Sequence, residues 1–505
     1  MAYMAVTLAV GIAVVYVGLR VLVSLNNDAR EPLSILNSPP FLGPILAVFL
    51  RRYKLYMQLF NQYNLPIYTL RLPFSRIYVV NETSLVLAIE RQAKVLAFAP
   101  IEAAATVNLL GMSEKANKTL KWDSTSDDGH FITFHKAFRP TLSPGSGLDA
   151  MIRKSVQCLA VSLDDLRRKS SIDTTLFEWI RHEIVMATTD AEFGPDNPFR
   201  DPTFENAWYK FDPSVPLLSA NFFPSVFARE GLKARELLAE GFKRYFHDGH
   251  HQAASASLHA RRSHSIQAGF SDDDIARGEV GACLAILNNA VPAAFWMIYH
   301  IFSNPHILKD CKQELEAAVQ LGDDFHTLDL SIVRSCCPIL LSTFQEVLRF
   351  RGVGTLIIRQ VVKDHYLDGK YLLKKGGIVL IPHSVQHSKP DVWGPTAGKF
   401  EHTRFVDIDT RRMKRYNPAA FRPFGAGSTL CPGRHFATAE ILAFAALMIL
   451  TVEIEPTRGK WPYARTDNSF GMGVARIFLL PENEIEVKIS SCADQTWRVL
   501  LPVSN

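Results

Sequence analysis

Three groups of residues in this chain have the types and spacing to do chemistry. The first surrounds Cys431, which follows Phe424-Gly425-Ala426-Gly427-Ser428-Thr429-Leu430 and precedes Pro432-Gly433-Arg434. Glycines in such a run let the backbone turn sharply and approach a bound group closely. A helix beginning after Gly433 would aim its N-terminal amides and dipole at the sulfur and stabilise a thiolate. The plainer alternative is a small buried cysteine in a glycine-rich turn. The second group is Glu346 and Arg349, whose i, i+3 spacing puts both on one helix face. Taken alone, such a pair is most often a surface ion pair. The third is Asn288-Asn289 inside an apolar run; their amides donate and accept hydrogen bonds but do not titrate.

The elements that must position these groups are mainly helical. Ser271 followed by Asp272-Asp273-Asp274 is a helix cap with an acidic first turn, and the apolar run from Ile275 to Phe302 extends it until Asn304-Pro305. Pro292 is expected to kink this helix. Pro305 opens a helix expected to reach Val319, and Pro338 opens the one carrying Glu346 and Arg349, stopping near Gly352. Between Gly354 and Leu380, Thr355-Leu356-Ile357-Ile358 and Ile378-Val379 flank Asp368-Gly369 and Gly376-Gly377, a strand-turn-strand pattern. A further helix follows Gly433, with Glu440 its one charged residue in a long apolar stretch. Tyr245–Ser265, rich in histidine, alanine and serine, reads as a solvated loop; His247, His250, His251, His259 and His264 lack carboxylate or cysteine partners at ligand spacing.

Phe424, Gly427, Cys431 and Gly433 fill all four positions of FxxGxxxCxG, and the chain therefore resembles the cytochrome P450 family. Glu346 and Arg349 match its ExxR, and Phe400-Glu401-His402-Thr403-Arg404-Phe405 its FxPxRF segment, with His402 in place of proline. The three motifs occur in the family's order. The resemblance implies the mainly α P450 fold with a smaller β subdomain, and a haem (iron-protoporphyrin IX) whose iron is ligated by the Cys431 thiolate. Such a ligand pushes electron density toward iron and favours cleavage of bound dioxygen. It further implies that Phe424 covers the sulfur side of the ring, and that Arg404 joins Glu346 and Arg349 in a buried cluster that is structural, since a desolvated ion network specifies geometry more than it adds stability. Arg359 matches a position that pairs with a haem propionate, with Trp122, His135 and Lys136 as weaker candidates. Thr429 departs from the basic residue usual two places before the cysteine.

The long helix departs too. Where the family usually carries an acid–threonine pair for delivering protons to iron-bound oxygen, this chain has Asn288 and Asn289. The run Asn289–Trp296 (NAVPAAFW), Thr429, Cys431-Pro432-Gly433-Arg434 and Gly471-Met472-Gly473 resemble the branch of bile-acid sterol hydroxylases and prostacyclin synthase. The first expectation is a monooxygenase oxidising a sterol, terpenoid or similar polycyclic molecule with O2 and electrons from NADPH through cytochrome P450 reductase. The alternatives are a rearrangement enzyme needing no outside electrons and a haem-thiolate protein that only binds or senses a ligand. Alternatively to a role in proton delivery, the asparagines simply satisfy one another inside a bent helix. Phe211, Val215, Leu217, Leu218, Phe222, Phe223, Val226 and Phe227, punctuated by prolines, match the family's mobile lid, although ordinary packing of short helices explains them as well.

The N-terminus carries a separate message. Met4–Leu25 is apolar apart from Arg20, long enough for the about 20 residues that span a bilayer. A cleaved signal would have a shorter apolar region, and a buried core helix is the other alternative. Arg20 lies near the end of the span, Arg30, Arg51, Arg52 and Lys54 follow it and no charged side chain precedes it, so the body is expected on the cytosolic face, of the endoplasmic reticulum if the resemblance holds. The expected organisation is an anchor at 1–25, a proline-rich hinge at 26–44, a catalytic unit at 45–490 and a C-terminal tail at 491–505, acting as a monomer. With 505 residues, 48% apolar and 21% charged, the composition is globular. A net charge of +5 is too small and scattered to argue for nucleic acid. The seven cysteines form no regular framework, which favours a reduced compartment. Asn81-Glu82-Thr83 and Asn117-Lys118-Thr119 have the form of glycosylation acceptors, left unmodified on a cytosolic body.

Overall fold

A computed structural model describes residues 2–25, 28–36, 38–73, 75–221, 223–353, 356–466 and 478–501. Phe222, Gly354, Thr355 and Gly471-Met472-Gly473 lie outside the described residues. Helices dominate, with a smaller β region beside them. The helix Ala290–Phe302 is buried at every residue, as a helix apolar all round must be. It packs against Leu176–Phe193 and against Arg434–Thr451.

The long helix starts where its cap lies: the Ser271 side chain accepts from the Asp274 amide, and Asp272, Asp273 and Asp274 fill the first turn. It does not run through. One segment ends at Leu287 and the next begins at Ala290, so the break falls at Asn288-Asn289 rather than at Pro292. Proline lacks an N–H and its ring crowds the carbonyl four residues back, which here belongs to Asn288.

The largest sheet has six strands in the order Ser34–Ile35, Ile67–Leu72, Ser75–Val80, Ile378–Pro382, Leu356–Val361, Leu96–Ala97. Its register sets Val379 against Arg359 on one side and Tyr78 on the other. Asp368-Gly369 joins His365–Leu367 to Tyr371–Leu373. Lys370 completes the three-residue loop between the paired Leu367 and Tyr371, and Asp368 and Gly369 have positive φ, +52° and +66°, a conformation that aspartate and glycine adopt most readily in turns.

Several expectations change. The helix from Pro305 ends at Leu315; a 3-10 turn follows, and Val319 pairs with Leu328 in a strand instead. The histidine-rich stretch is mostly helix, not loop: Arg229–His247 and Ala256–Gln267 flank one 3-10 turn. Ser255 caps the second helix by accepting from Leu258 N, and buried Arg261 pins it to Glu192 and Glu279 at 2.7 and 2.6 Å. Within 26–44, Ser34–Ile35 pairs with Thr69–Leu70 and a helix, Leu42–Arg51, already begins. The terminal segment contributes Thr496–Leu500, paired in parallel with Phe325–Asp329. At the N-terminus Ala2–Leu25 is one helix, with Val14 and Val17 about two-thirds exposed (66% and 58%).

Candidate active site

The cysteine loop is closed by its own backbone. Cys431 N donates to Phe424 O at 2.8 Å, and the helix Arg434–Thr451 starts immediately beyond Gly433. Gly425 sits at φ +72°, and a Cβ there would lie 2.9 Å from Thr429 O, so both conformation and space demand glycine. Gly427, at φ +57°, needs glycine for conformation alone. Gly433 differs: its φ is −78° and a Cβ would meet Cys431 Sγ at 4.0 Å. Its backbone therefore does not require glycine. Burial pushes the Cys431 thiol up, against the backbone amides of Gly433 and Arg434 and the guanidinium groups of Arg434 and Arg139, which favour the thiolate.

Cations gather at this loop. Arg359 is buried; its Nη2 donates to Thr429 Oγ1 at 2.6 Å and its Nη1 to Ile358 O at 2.8 Å. No carboxylate pairs with it among the described residues, and burial lowers it to about 10. Thr429, which replaces an expected basic residue, thus serves as the ledge on which Arg359 rests. Arg139 donates to Ser428 O. Arg139 belongs to no motif, and its one signal in the sequence is its place one turn beyond His135 and Lys136. Those two are engaged elsewhere, His135 with Glu102 at 3.1 Å and Lys136 with Asp127 O at 3.3 Å. Trp122 is 65% exposed beyond the helix Glu114–Lys121 and makes no described side-chain contact with the loop.

Glu346, Arg349 and Arg404 come together in the core. Glu346 accepts from Arg349 through both oxygens at 2.7 Å and from Arg404 Nε at 3.1 and 3.2 Å. Other donors go to main-chain carbonyls, Arg349 to His387, Ala397 and Lys399, and Arg404 to Trp393, Thr396 and Lys399; Arg404 also pairs with Glu401 at 3.0 Å. His402, standing where the family has proline, pairs with Asp310 at 2.9 Å.

The two asparagines part company at the helix break. Asn288 is 5% exposed, and its Oδ1 is buried without a hydrogen-bond partner. Asn289 is half-buried and lies one turn from the exposed Ala285, on the more open face. In the lid region, Phe211, Val215 and Leu218 are buried, whereas Phe223, Val226 and Phe227 are exposed on either side of the short helix start at Pro224.

A family model described as "Cytochrome P450" matches residues 217–488. A cytochrome P450 monooxygenase of Hypoxylon pulicicidum is 34% identical over 86% of this chain and 85% of its own. This chain belongs to the cytochrome P450 family. A cytochrome P450 monooxygenase of Gibberella zeae is 26% identical over 86% of this chain and 83% of its own. The cholesterol 7-alpha-monooxygenase of Cricetulus griseus is 28% identical over 56% of this chain and 58% of its own. The retinoic acid-bound cyanobacterial CYP120A1 superposes with a TM-score of 0.70 at 18% identity, over 92% of this chain and all of that one. The fold is thus the P450 fold, and the protein is an oxidoreductase of the monooxygenase type with a haem-thiolate cofactor. The residues present fit that group. Cys431 is a soft donor on a rigid loop, and Arg359 is a buried cation short of an anion, which a propionate would supply.

Proposed function

We propose that this P450 holds haem through the Cys431 thiolate and a propionate on Arg359, and oxidises a lipophilic polycyclic substrate with O2 and electrons from NADPH-cytochrome P450 reductase. The observation that carries this reading is the thiol on a glycine-shaped loop at a helix start, with a buried guanidinium on the same loop that pairs with no carboxylate among the described residues. When bound, the haem activates dioxygen for insertion into the substrate. The chain's own residues prepare for this. Amides of Gly433 and Arg434 stabilise the thiolate, Phe424 shields the sulfur side, and the Glu346 cluster keeps the loop's supporting core from shifting. Asn289, on the open face of the helix break, orients water there by donating and accepting, though it cannot pass on a proton of its own as a hydroxyl does.

The likeness to cholesterol 7-alpha-monooxygenases and the apolar lid support a sterol- or terpenoid-like substrate. Helix Ala2–Leu25, apolar and exposed, supports a single-span anchor with the body on the cytosolic face of the endoplasmic reticulum.

Two measurements test this. The reduced protein with carbon monoxide is expected to show the red-shifted Soret band of thiolate ligation, and Cys431→Ala to abolish it; a band that survives rules out Cys431. Mass spectrometry of cells with and without the gene is expected to show a precursor one oxygen lighter than the lost product. A precursor of identical mass means rearrangement instead.

A further inference from the structure

Three guanidinium groups touch the loop 424–431. Arg359 rests on Thr429 and serves the proposed propionate, and Arg434 Nη1 donates to Cys431 O at 3.1 Å from the helix that follows. The third, Arg139, comes from a separate element: it ends the helix His130–Phe138 and opens the 3-10 turn Arg139–Leu142. Its main chain is held on both sides, the amide donating to His135 O and the carbonyl accepting from Ser143 Oγ at 3.3 Å. Its half-buried side chain crosses to the loop, where Nη2 donates to Ser428 O, while Nε is buried without a partner among the described residues. No described carboxylate pairs with it. Burial lowers Arg139, whereas Glu102, itself engaged by His135 at 3.1 Å, and the Cys431 thiolate favour its charged form.

A guanidinium held in one place without a counter-charge acts on its surroundings as a fixed positive charge. The loop supplies none of its own there. Ser428 is neutral, and the Thr429 hydroxyl is taken up by Arg359 and by Ala426 O at 3.1 Å. We infer that Arg139 is a positioning residue that brings to the cysteine loop, from outside it, the positive charge that Thr429 does not supply, and that it raises the reduction potential of the bound haem iron. Passing from ferric to ferrous iron adds one electron, and so one negative charge, with no bond formed or broken, and a fixed positive charge favours that form. The electron comes from the reductase. Charge and hydrogen bonding around the ligand are among the means by which a protein sets such a potential. The inference rests on the reading of Cys431 as the haem ligand.

Potentiometric titration of the haem-loaded full chain, with dithionite as reductant and no reductase present, tests this. Arg139→Gln keeps a donor for Ser428 O and removes the charge. It is expected to lower the equilibrium constant for one-electron reduction about tenfold, which is about 59 mV toward more negative potential. Arg139→Lys, which keeps the charge, is expected to stay near the native potential. An unchanged potential in Arg139→Gln overturns the inference. Faster haem loss at an unchanged potential makes Arg139 a propionate cation, and a raised KM for the reductase at an unchanged potential makes it a docking residue; either overturns the inference. An equal fall in both variants assigns the effect to guanidinium geometry and overturns it too. If Arg139→Gln fails to fold or load haem, Arg139→Met, which keeps the apolar stem, takes its place. Absence of the red-shifted Soret band from the native protein defeats Cys431 ligation itself, a failure distinct from any of these.

Discussion

The Glu346 cluster and the Asn288-Asn289 break are both polar insertions in an apolar interior, and they are finished in opposite ways. At Glu346 both carboxylate oxygens and most of the guanidinium donors find partners, largely main-chain carbonyls of the segment leading toward the cysteine loop. At the break a carbonyl faces a proline that cannot donate to it, and Asn288 Oδ1 has no hydrogen-bond partner among the described residues. A satisfied buried network specifies one geometry, whereas unmet groups leave room for water or ligand. The molecule therefore places its rigidity behind the loop that holds the sulfur and leaves unmet hydrogen bonds at the break of the long helix.

The largest effect should follow from breaking the satisfied side. Glu346→Ala strands the buried Arg349 guanidinium and leaves Arg404 with Glu401 as its carboxylate partner, and should destabilise the protein by about 3–5 kcal/mol. Thermal unfolding and haem content are expected to fall together; a well-folded, haem-loaded variant would show that the cluster does not hold this core. Next comes Arg359→Leu. Losing a charge-assisted hydrogen bond worth about 1.5–3 kcal/mol should weaken haem retention about tenfold to a hundredfold, read by haem transfer to an acceptor protein. Because Arg359 has no described carboxylate partner, the apoprotein should lose little stability, unlike Glu346→Ala.

A subtler contrast concerns pH. Glu440 is wholly buried, accepts from Ser155 and Thr188 hydroxyls, and burial raises it from 4.5 to about 7. Its folded-state value lies above its unfolded one. The stability it contributes is therefore complete below pH 4.5 and lost as pH rises toward 7. Glu440→Gln should flatten that part of the stability–pH curve, measured by urea unfolding across the range; an unaltered slope would assign it to other groups. The smallest structural effect should come from Asn289→Ala, on the open face. It should leave the unfolding midpoint nearly unchanged while lowering product formed per NADPH consumed, and equal coupling would remove Asn289 from the proton path.

Much of this was legible in the sequence, because local patterns write it directly. The Ser271 cap, the Asp368-Gly369 hairpin, the glycines at 425 and 427 and the helix after Gly433 all follow from short-range backbone preferences. The i, i+3 spacing put Glu346 and Arg349 on one face, although only the fold showed both buried and Arg404 closing the group. Short-range signals failed where distant partners decide. The histidine-rich stretch looks like loop by composition, yet a buried Arg261 between Glu192 and Glu279 holds it as helix. Arg139, one turn past His135 and Lys136, reaches the cysteine loop without any motif to announce it.

The asparagine pair marks the boundary most clearly. Sequence alone determined that the helix must fail near Pro292, since a proline cannot donate to the carbonyl four residues before it. Which asparagine would be buried and which left on the more open face was decided only by the packing of Leu176–Phe193 and Pro202–Phe211 against the break. Side-chain direction at a helix break depends on what neighbouring helices leave room for, and no local sequence rule contains that.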